Sequence, residues 1–98
     1  MNYKELSEVF KILSNAKRLE ILDIISCGEV CACELQKKFD ITQPTLSYDM
    51  KLLKEASLII ERIDGRSHYY KINEDHFRKI AELFTVLSKE KKACCCKR

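Results

Sequence analysis

Leu6, Val9, Phe10 and Leu13 recur at i, i+3, i+4 and i+7, the spacing that lines up one face of a helix, and predict a first amphipathic helix over about residues 3 to 13. Ser14 or Asn15 breaks and caps the chain there. Leu19, Ile21, Leu22, Ile24 and Ile25 give a wider apolar face, predicting a second helix that ends near Cys27 and Gly28 and forms the most buried element. Residues 31 to 39 read as a short third helix, with Leu35 and Phe39 four apart, and Asp40, Ile41 and Thr42 connect it to a fourth. Thr42 can cap that fourth helix, Pro44 is tolerated in its first turn, and Leu46, Met50 and Leu53 share one face as far as about Ala56. Two short helices joined by a three-residue turn are a helix-turn-helix pattern.

LIIERIDGRSHYYKI, residues 58 to 72, holds two β-branched and aromatic runs around Asp64-Gly65, a strong local hairpin signal. Asn73 can cap a last helix with Glu74 and Asp75 in its first turn and Lys89, Lys91 and Lys92 at its end, which suits the helix dipole. Phe77, Ile80, Ala81, Phe84 and Leu87 form its stripe. The expected fold is mainly α with a small β-hairpin, in the order ααααββα.

Composition fits this reading. Hydrophobic residues make up 46% and charged residues 34%, the mix of a soluble globular domain rather than a disordered chain. Two glycines and one proline favour helices with short connections over an all-β fold with many turns. The 98 residues suffice for one small domain, expected over 1 to 92, followed by a flexible cysteine-rich tail over 93 to 98. A net charge of +3 is compatible with nucleic acid but does not select it. MNYKELSEVFKIL carries acidic residues in an amphipathic pattern, unlike a secretory signal or transit peptide, and no apolar run approaches the roughly 18 residues that span a bilayer. A cytoplasmic protein with no membrane partner is expected.

The six cysteines fall into two groups, Cys27, Cys31 and Cys33, then Cys94, Cys95 and Cys96. Adjacent cysteines pair poorly with each other. In a reducing compartment, clustered thiols more often bind a metal or sense oxidants than staple a fold.

A helix-turn-helix followed by a hairpin and flanked by helices is the order of a winged helix-turn-helix. Within it TQPTLSYDMKLLKEASLI, residues 42 to 59, closely resembles the recognition-helix signature of the ArsR/SmtB metalloregulatory repressors. EVCACEL, residues 29 to 35, is similar to the thiol motif that arsenical-sensing members carry just before it, and IDGRSHYYKI, residues 63 to 72, matches the wing. The resemblance covers almost the whole chain. It implies a homodimeric transcriptional repressor that releases double-stranded operator DNA when a metal or metalloid ion binds, with no cofactor beyond that effector.

The residues suit such a reader. A helix can enter the major groove and present side chains to base edges while basic and hydroxyl groups around it hold phosphates. The candidates are Gln43, Thr45, Ser47, Tyr48 and Lys51, with Lys54 near the helix end; Arg66 at the hairpin tip can reach the minor groove or backbone, and Arg62 and His68 are weaker candidates. Where many family members show two histidines this chain has Tyr48 and Asp49, and a carboxylate facing DNA is repelled by phosphate unless it accepts from a cytosine amino group.

Residues two apart on a regular helix point about 200° from each other, so Cys31 and Cys33 can share an ion only if the helix start is unwound or becomes so on binding. Coordination would then distort the helix that positions the recognition helix. Sulfur-only ligation selects soft species, and As(III) or Sb(III), with three bonds to sulfur, suits it better than zinc, whose structural sites usually take four ligands. In the best-known arsenical pattern a third cysteine follows three residues after the second, whereas this chain has Gln36 there. Cys27 and the triplet Cys94, Cys95 and Cys96 are the remaining candidates, Cys27 reading equally well as a small buried core thiol. We expect a tail cysteine to complete the site.

The stripes of the first and last helices exceed what one small core needs, so Leu6, Val9, Phe10, Phe84 and Leu87 are expected at a twofold dimer interface. Two alternatives stay open: a repressor whose cysteines form disulfides in response to oxidants or persulfides, and a thiol enzyme such as an arsenate reductase. The enzyme would need a paired histidine or a phosphate-cradling glycine loop, which the sequence does not offer.

Overall fold

The computed structural model describes residues 1–89, so the tail with its cysteine triplet lies outside the described residues. Its elements are α1 (Tyr3–Leu13), α2 (Ala16–Ile25), β1 (Val30–Cys31), α3 (Ala32–Phe39), α4 (Gln43–Glu55), β2 (Ile59–Asp64), β3 (Ser67–Ile72) and α5 (Glu74–Ser88). Four helices open on a side-chain oxygen that accepts a first-turn backbone N–H: Asn2 from Glu5, Asn15 from Arg18, Thr42 from Thr45 and Asn73 from His76. Each such cap stabilises its helix by about 1 kcal/mol and fixes where it begins. In α3 a sulfur takes that place, since Cys31 stands at the cap position in extended conformation.

Between α3 and α4 the chain turns at Asp40, whose left-handed backbone (φ 51°) lets its N–H reach back to the carbonyls of Gln36 and Lys37. This sets α3 and α4 as the two limbs of the helix-turn-helix. β2 and β3 pair from Ile59↔Ile72 to Asp64↔Ser67, leaving Gly65 and Arg66 as the loop. The hairpin therefore turns one residue later than the Asp64-Gly65 expectation, with Gly65 supplying the positive φ of 62° at the first loop position.

The sheet holds a third strand that periodicity did not show. β1 pairs antiparallel with β3 (Val30↔Tyr70, Cys31↔Tyr69), making β3 central and the order ααβααββα. Two residues carry no readable alternation, and this strand exists only because β3 offers it a partner. Its consequence is that Cys31 precedes α3, which begins at Ala32.

Ile21, Ile25, Leu35, Leu53 and Leu58 are the most deeply buried side chains, so the core lies where α2, α3 and α4 meet the root of the hairpin. Each contributes roughly 1.5–3 kcal/mol by leaving water. The second helix stops at Ile25, short of Cys27, and its apolar face is narrower than expected because Leu19 is half exposed. On the outer helices the stripes divide: Leu6, Val9 and Ile80 enter the core, while Phe10, Phe84, Val86 and Leu87 stay exposed. Among the described residues no helix is long and apolar enough to cross a membrane.

Candidate nucleic-acid interface and thiol site

The apolar face of α4 turns Leu46, Met50 and Leu53 inward, and by the same periodicity Gln43, Thr45, Ser47, Tyr48, Lys51 and Lys54 outward. Tyr48 is 61% exposed, and Arg66 stands exposed at the wing tip. All seven side chains expected to meet DNA are therefore accessible on α4 and the wing. Asp49 does not join them. It is 3% exposed, on the core side of α4, where Arg18 donates through Nε to Oδ1 at 3.1 Å and the Lys17 ammonium lies 2.7 Å from Oδ2. The Lys17 approach is poorly angled for a hydrogen bond, so it acts mainly as a charge pair. Arg18 also donates to the Ile12 carbonyl, which ties the end of α1 into the same joint. Phosphate repulsion is thus no concern for Asp49, because the carboxylate locks α4 onto α2. The stripe itself carried the signal, since position 49 falls three after Leu46 and four before Leu53.

The weaker basic candidates are held by acidic partners. Arg62 makes a two-pronged bond to Glu29, with Nε and Nη2 at 3.0 and 2.8 Å, and lies over the Tyr69 ring. That bond is the main reason the Glu29 carboxyl sits below its usual pKa and the guanidinium above its own. Glu61 gathers three groups: Lys54 Nζ donates to Oε1 at 2.8 Å, the Tyr70 hydroxyl donates to Oε2 at 3.1 Å, and His68 Nδ1 stands 2.8 Å from Oε2. The Lys54 bond, aided by His68 and Tyr70, holds the Glu61 carboxyl at about 2, well below the ordinary carboxylate range. Burial, with the Glu61 bond second, pushes the Tyr70 phenol up to about 12. Sequence patterns alone did not single out Glu29, Glu61 or Tyr70.

The thiols of Cys31 and Cys33 do converge. Their sulfur atoms lie 2.7 Å apart, and the Cys33 N–H donates to the Cys31 sulfur at 3.4 Å. This is the first of the two arrangements that helical geometry allows: Cys31 is already in extended backbone ahead of the helix, so the 200° separation does not apply to it and no further unwinding on binding is needed. The contact with Cys33, then the backbone N–H groups of Cys33 and Glu34, lowers the Cys31 pKa, while the same contact raises that of Cys33. Two adjacent sulfurs, one with its pKa lowered, suit a soft, thiophilic ion. Cys27 is exposed in the turn after α2, which removes the buried-core reading of it. Among the described residues no third histidine, cysteine, aspartate or glutamate joins the pair, and Cys94, Cys95 and Cys96 lie outside those residues.

Of the residues expected at a dimer interface, Leu6 and Val9 pack into the protomer's own core. Phe10 and Phe84 stack on each other with centroids 5.5 Å apart, and with Leu87 they form an exposed apolar face along α1 and α5.

Comparison with known proteins agrees with this architecture. A family model described as "Bacterial regulatory protein, arsR family" matches residues 15–61. The arsenical resistance operon repressor of Staphylococcus aureus is 45% identical over 97 residues, 99% of this chain and 93% of that one. Its counterpart in Staphylococcus xylosus is 43% identical over the same shares. A homodimeric winged helix-turn-helix DNA-binding domain from Mycobacterium bovis, solved in solution, is 30% identical with a TM-score of 0.70, covering 86% of this chain and 79% of that one.

Proposed function

This chain belongs to the arsR family of bacterial regulatory proteins, and on that footing we propose that it is a DNA-binding transcriptional repressor rather than an enzyme. It acts in the cytoplasm as a homodimer and lets go of operator DNA when As(III) or Sb(III) is captured by its thiols. The observation that carries the metalloid reading is the pair of sulfurs 2.7 Å apart at the start of the first helix of the helix-turn-helix. Curated relatives named for arsenical resistance operons support the choice of effector.

In this reading Gln43, Thr45, Ser47, Tyr48 and Lys51 enter the major groove, and Arg66 reaches the flanking minor groove or backbone. The face formed by Phe10, Phe84 and Leu87 meets its copy in the partner, setting two recognition helices one helical turn or a multiple apart on a palindrome-like operator. Cys31 and Cys33 supply two of three sulfur ligands, and one of Cys94, Cys95 and Cys96 supplies the third. Sulfur binding weakens DNA binding only if the ion prefers the DNA-free form, and the coupling is reciprocal.

Fluorescence anisotropy on a duplex that the protein binds provides the test. Arsenite is expected to release the wild type and to leave the Cys31→Ser/Cys33→Ser variant bound, with zinc acting on neither. Release of the double variant by arsenite would sink the proposal, and release by hydrogen peroxide but not arsenite would replace it with the oxidant-sensing alternative. A chain ending at Lys92 that takes up arsenite with unchanged affinity and stoichiometry would remove the tail from the site.

A further inference from the structure

Cys31 lies in β1 ahead of α3 while Cys33 lies in its first turn, so an ion held by both pulls on the sheet as well as on the helix, and a second path to the reader runs through the strands. We infer that Glu61 is the positioning residue through which occupancy of the Cys31 and Cys33 thiols reaches the recognition helix, an inference that rests on the thiol-gated reading above.

The path is short. Cys31 is in β1, which pairs with β3 through Val30↔Tyr70 and Cys31↔Tyr69. Tyr70 of β3 gives its hydroxyl to Oε2 of Glu61, directly across the ladder on β2. The other oxygen of the same carboxylate holds the ammonium of Lys54, in the last turn of α4. One side chain therefore ties the recognition helix to the strand on which the thiol-bearing strand is zipped. Glu29 and Arg62 brace the same junction, Glu29 just before β1 gripping Arg62 of β2, whose guanidinium lies over Tyr69.

Glu61 is placed to adjust rather than merely to hold. Its side chain is 14% exposed and borders a cavity of about 460 Å³ between α4 and the hairpin, lined also by Ala32, Ser47, Lys51, Lys54 and His68. Ala32, the residue between the two cysteines, lines this cavity together with Ser47 and Lys51 of α4. Lys54, His68 and Tyr70 share the two oxygens of Glu61 there, and a partner that leaves can be replaced by water where the cavity admits it. At mid-helix, by contrast, α4 is pinned to α2 by the buried Asp49. Asp49 acts as the pivot of α4 and Glu61 as its adjustable tie. An ion that draws the Cys31 and Cys33 sulfurs into its own geometry shifts β1 on β3, moves the Tyr70 hydroxyl, and changes the grip of Glu61 on Lys54.

The experiment compares the wild type, Glu61→Gln, Tyr70→Phe and Lys54→Gln/Glu61→Gln. DNA affinity is read by anisotropy with and without arsenite, arsenite binding by ultraviolet absorbance of the arsenic–thiolate bonds, and folding by circular dichroism. Wild-type DNA binding is expected to weaken at least about tenfold with arsenite, within the usual span of allosteric couplings. Glu61→Gln is expected to take up arsenite with wild-type stoichiometry while its DNA affinity changes by less than about threefold. Tyr70→Phe should fall between, and the double variant should lose no more coupling than Glu61→Gln alone, because both residues act through one tie. A full wild-type ratio in Glu61→Gln, or in Tyr70→Phe should the former fail to fold, overturns the inference. So does loss of arsenite uptake in a folded Glu61→Gln, which would make Glu61 part of the ion site. A wild type that binds arsenite yet keeps its DNA affinity defeats the thiol-gated reading itself and this inference with it.

Discussion

Asp49 and Cys31 belong to the same helix-turn-helix and are held in opposite ways. Asp49 is sealed between α2 and α4, with Arg18 and Lys17 on its two oxygens. Cys31 sits half exposed in a two-residue strand, its sulfur touching Cys33 and one backbone N–H. The first region fixes the recognition helix, and the second is free to change. The proposed function needs both, because a ligand shifts an equilibrium only where two arrangements lie close in free energy, whereas a helix that reads a groove must keep its shape.

The contrast is open to direct attack. Asp49→Ala strands Arg18 and Lys17 and is expected to lower stability by about 3 kcal/mol, the low end for breaking a buried pair because Lys17 keeps some exposure. Urea unfolding checks this, and DNA affinity should fall with it. A loss below about 1 kcal/mol would mean that Asp49 is no clamp and that the two regions are alike. Cys31→Ser/Cys33→Ser should leave stability within about 0.5 kcal/mol, since serine caps a helix at least as well as cysteine. The same urea titration on that variant sharpens the comparison, a large loss marking the thiol corner as structural.

Acid separates the regions further. The Glu61 carboxyl is held at about 2 in the fold against a usual 4.5, so its folded pKa is depressed. Such a group stabilises the fold fully above the unfolded value and loses that contribution as pH falls through the folded one. Wild-type stability should therefore decline between pH 4.5 and about 2, and the decline should be shallower in Glu61→Gln. Parallel acid-unfolding curves for the two would remove the ion-paired picture of Glu61. The smallest effect is expected at the wing tip. Arg66→Ala should leave stability unchanged and reduce the salt dependence of DNA binding by about one charge. An unchanged salt slope would place Arg66 away from phosphate.

Much of the scaffold was readable before any coordinates. Caps at Asn15, Thr42 and Asn73, the stripe on α4 and the glycine of the hairpin are local signals, each a contact between residues three or four apart or a demand on one backbone angle. The outward face of α4 follows from the same periodicity. Asp49 was legible in part, since its place on the apolar stripe implies burial, but its partners were not. The Cys31 and Cys33 pair is visible as a motif, whereas which of its two possible geometries holds is not, because the start of α3 depends on β1.

The chain order of helices, turn and wing, and the identity of the side chains on the outer face of α4 and of the paired thiols, were set by the sequence through interactions spanning a turn or two of chain. Only the tertiary structure decided that Cys31 stands in a strand, that Asp49 faces Arg18 across 31 positions and that Glu29 meets Arg62 across 33. It likewise divided the stripes of α1 and α5 between core and surface. The reason is that such pairings form when distant segments pack together, and nothing in the spacing along the chain records which of many chemically suitable partners that packing will bring within reach.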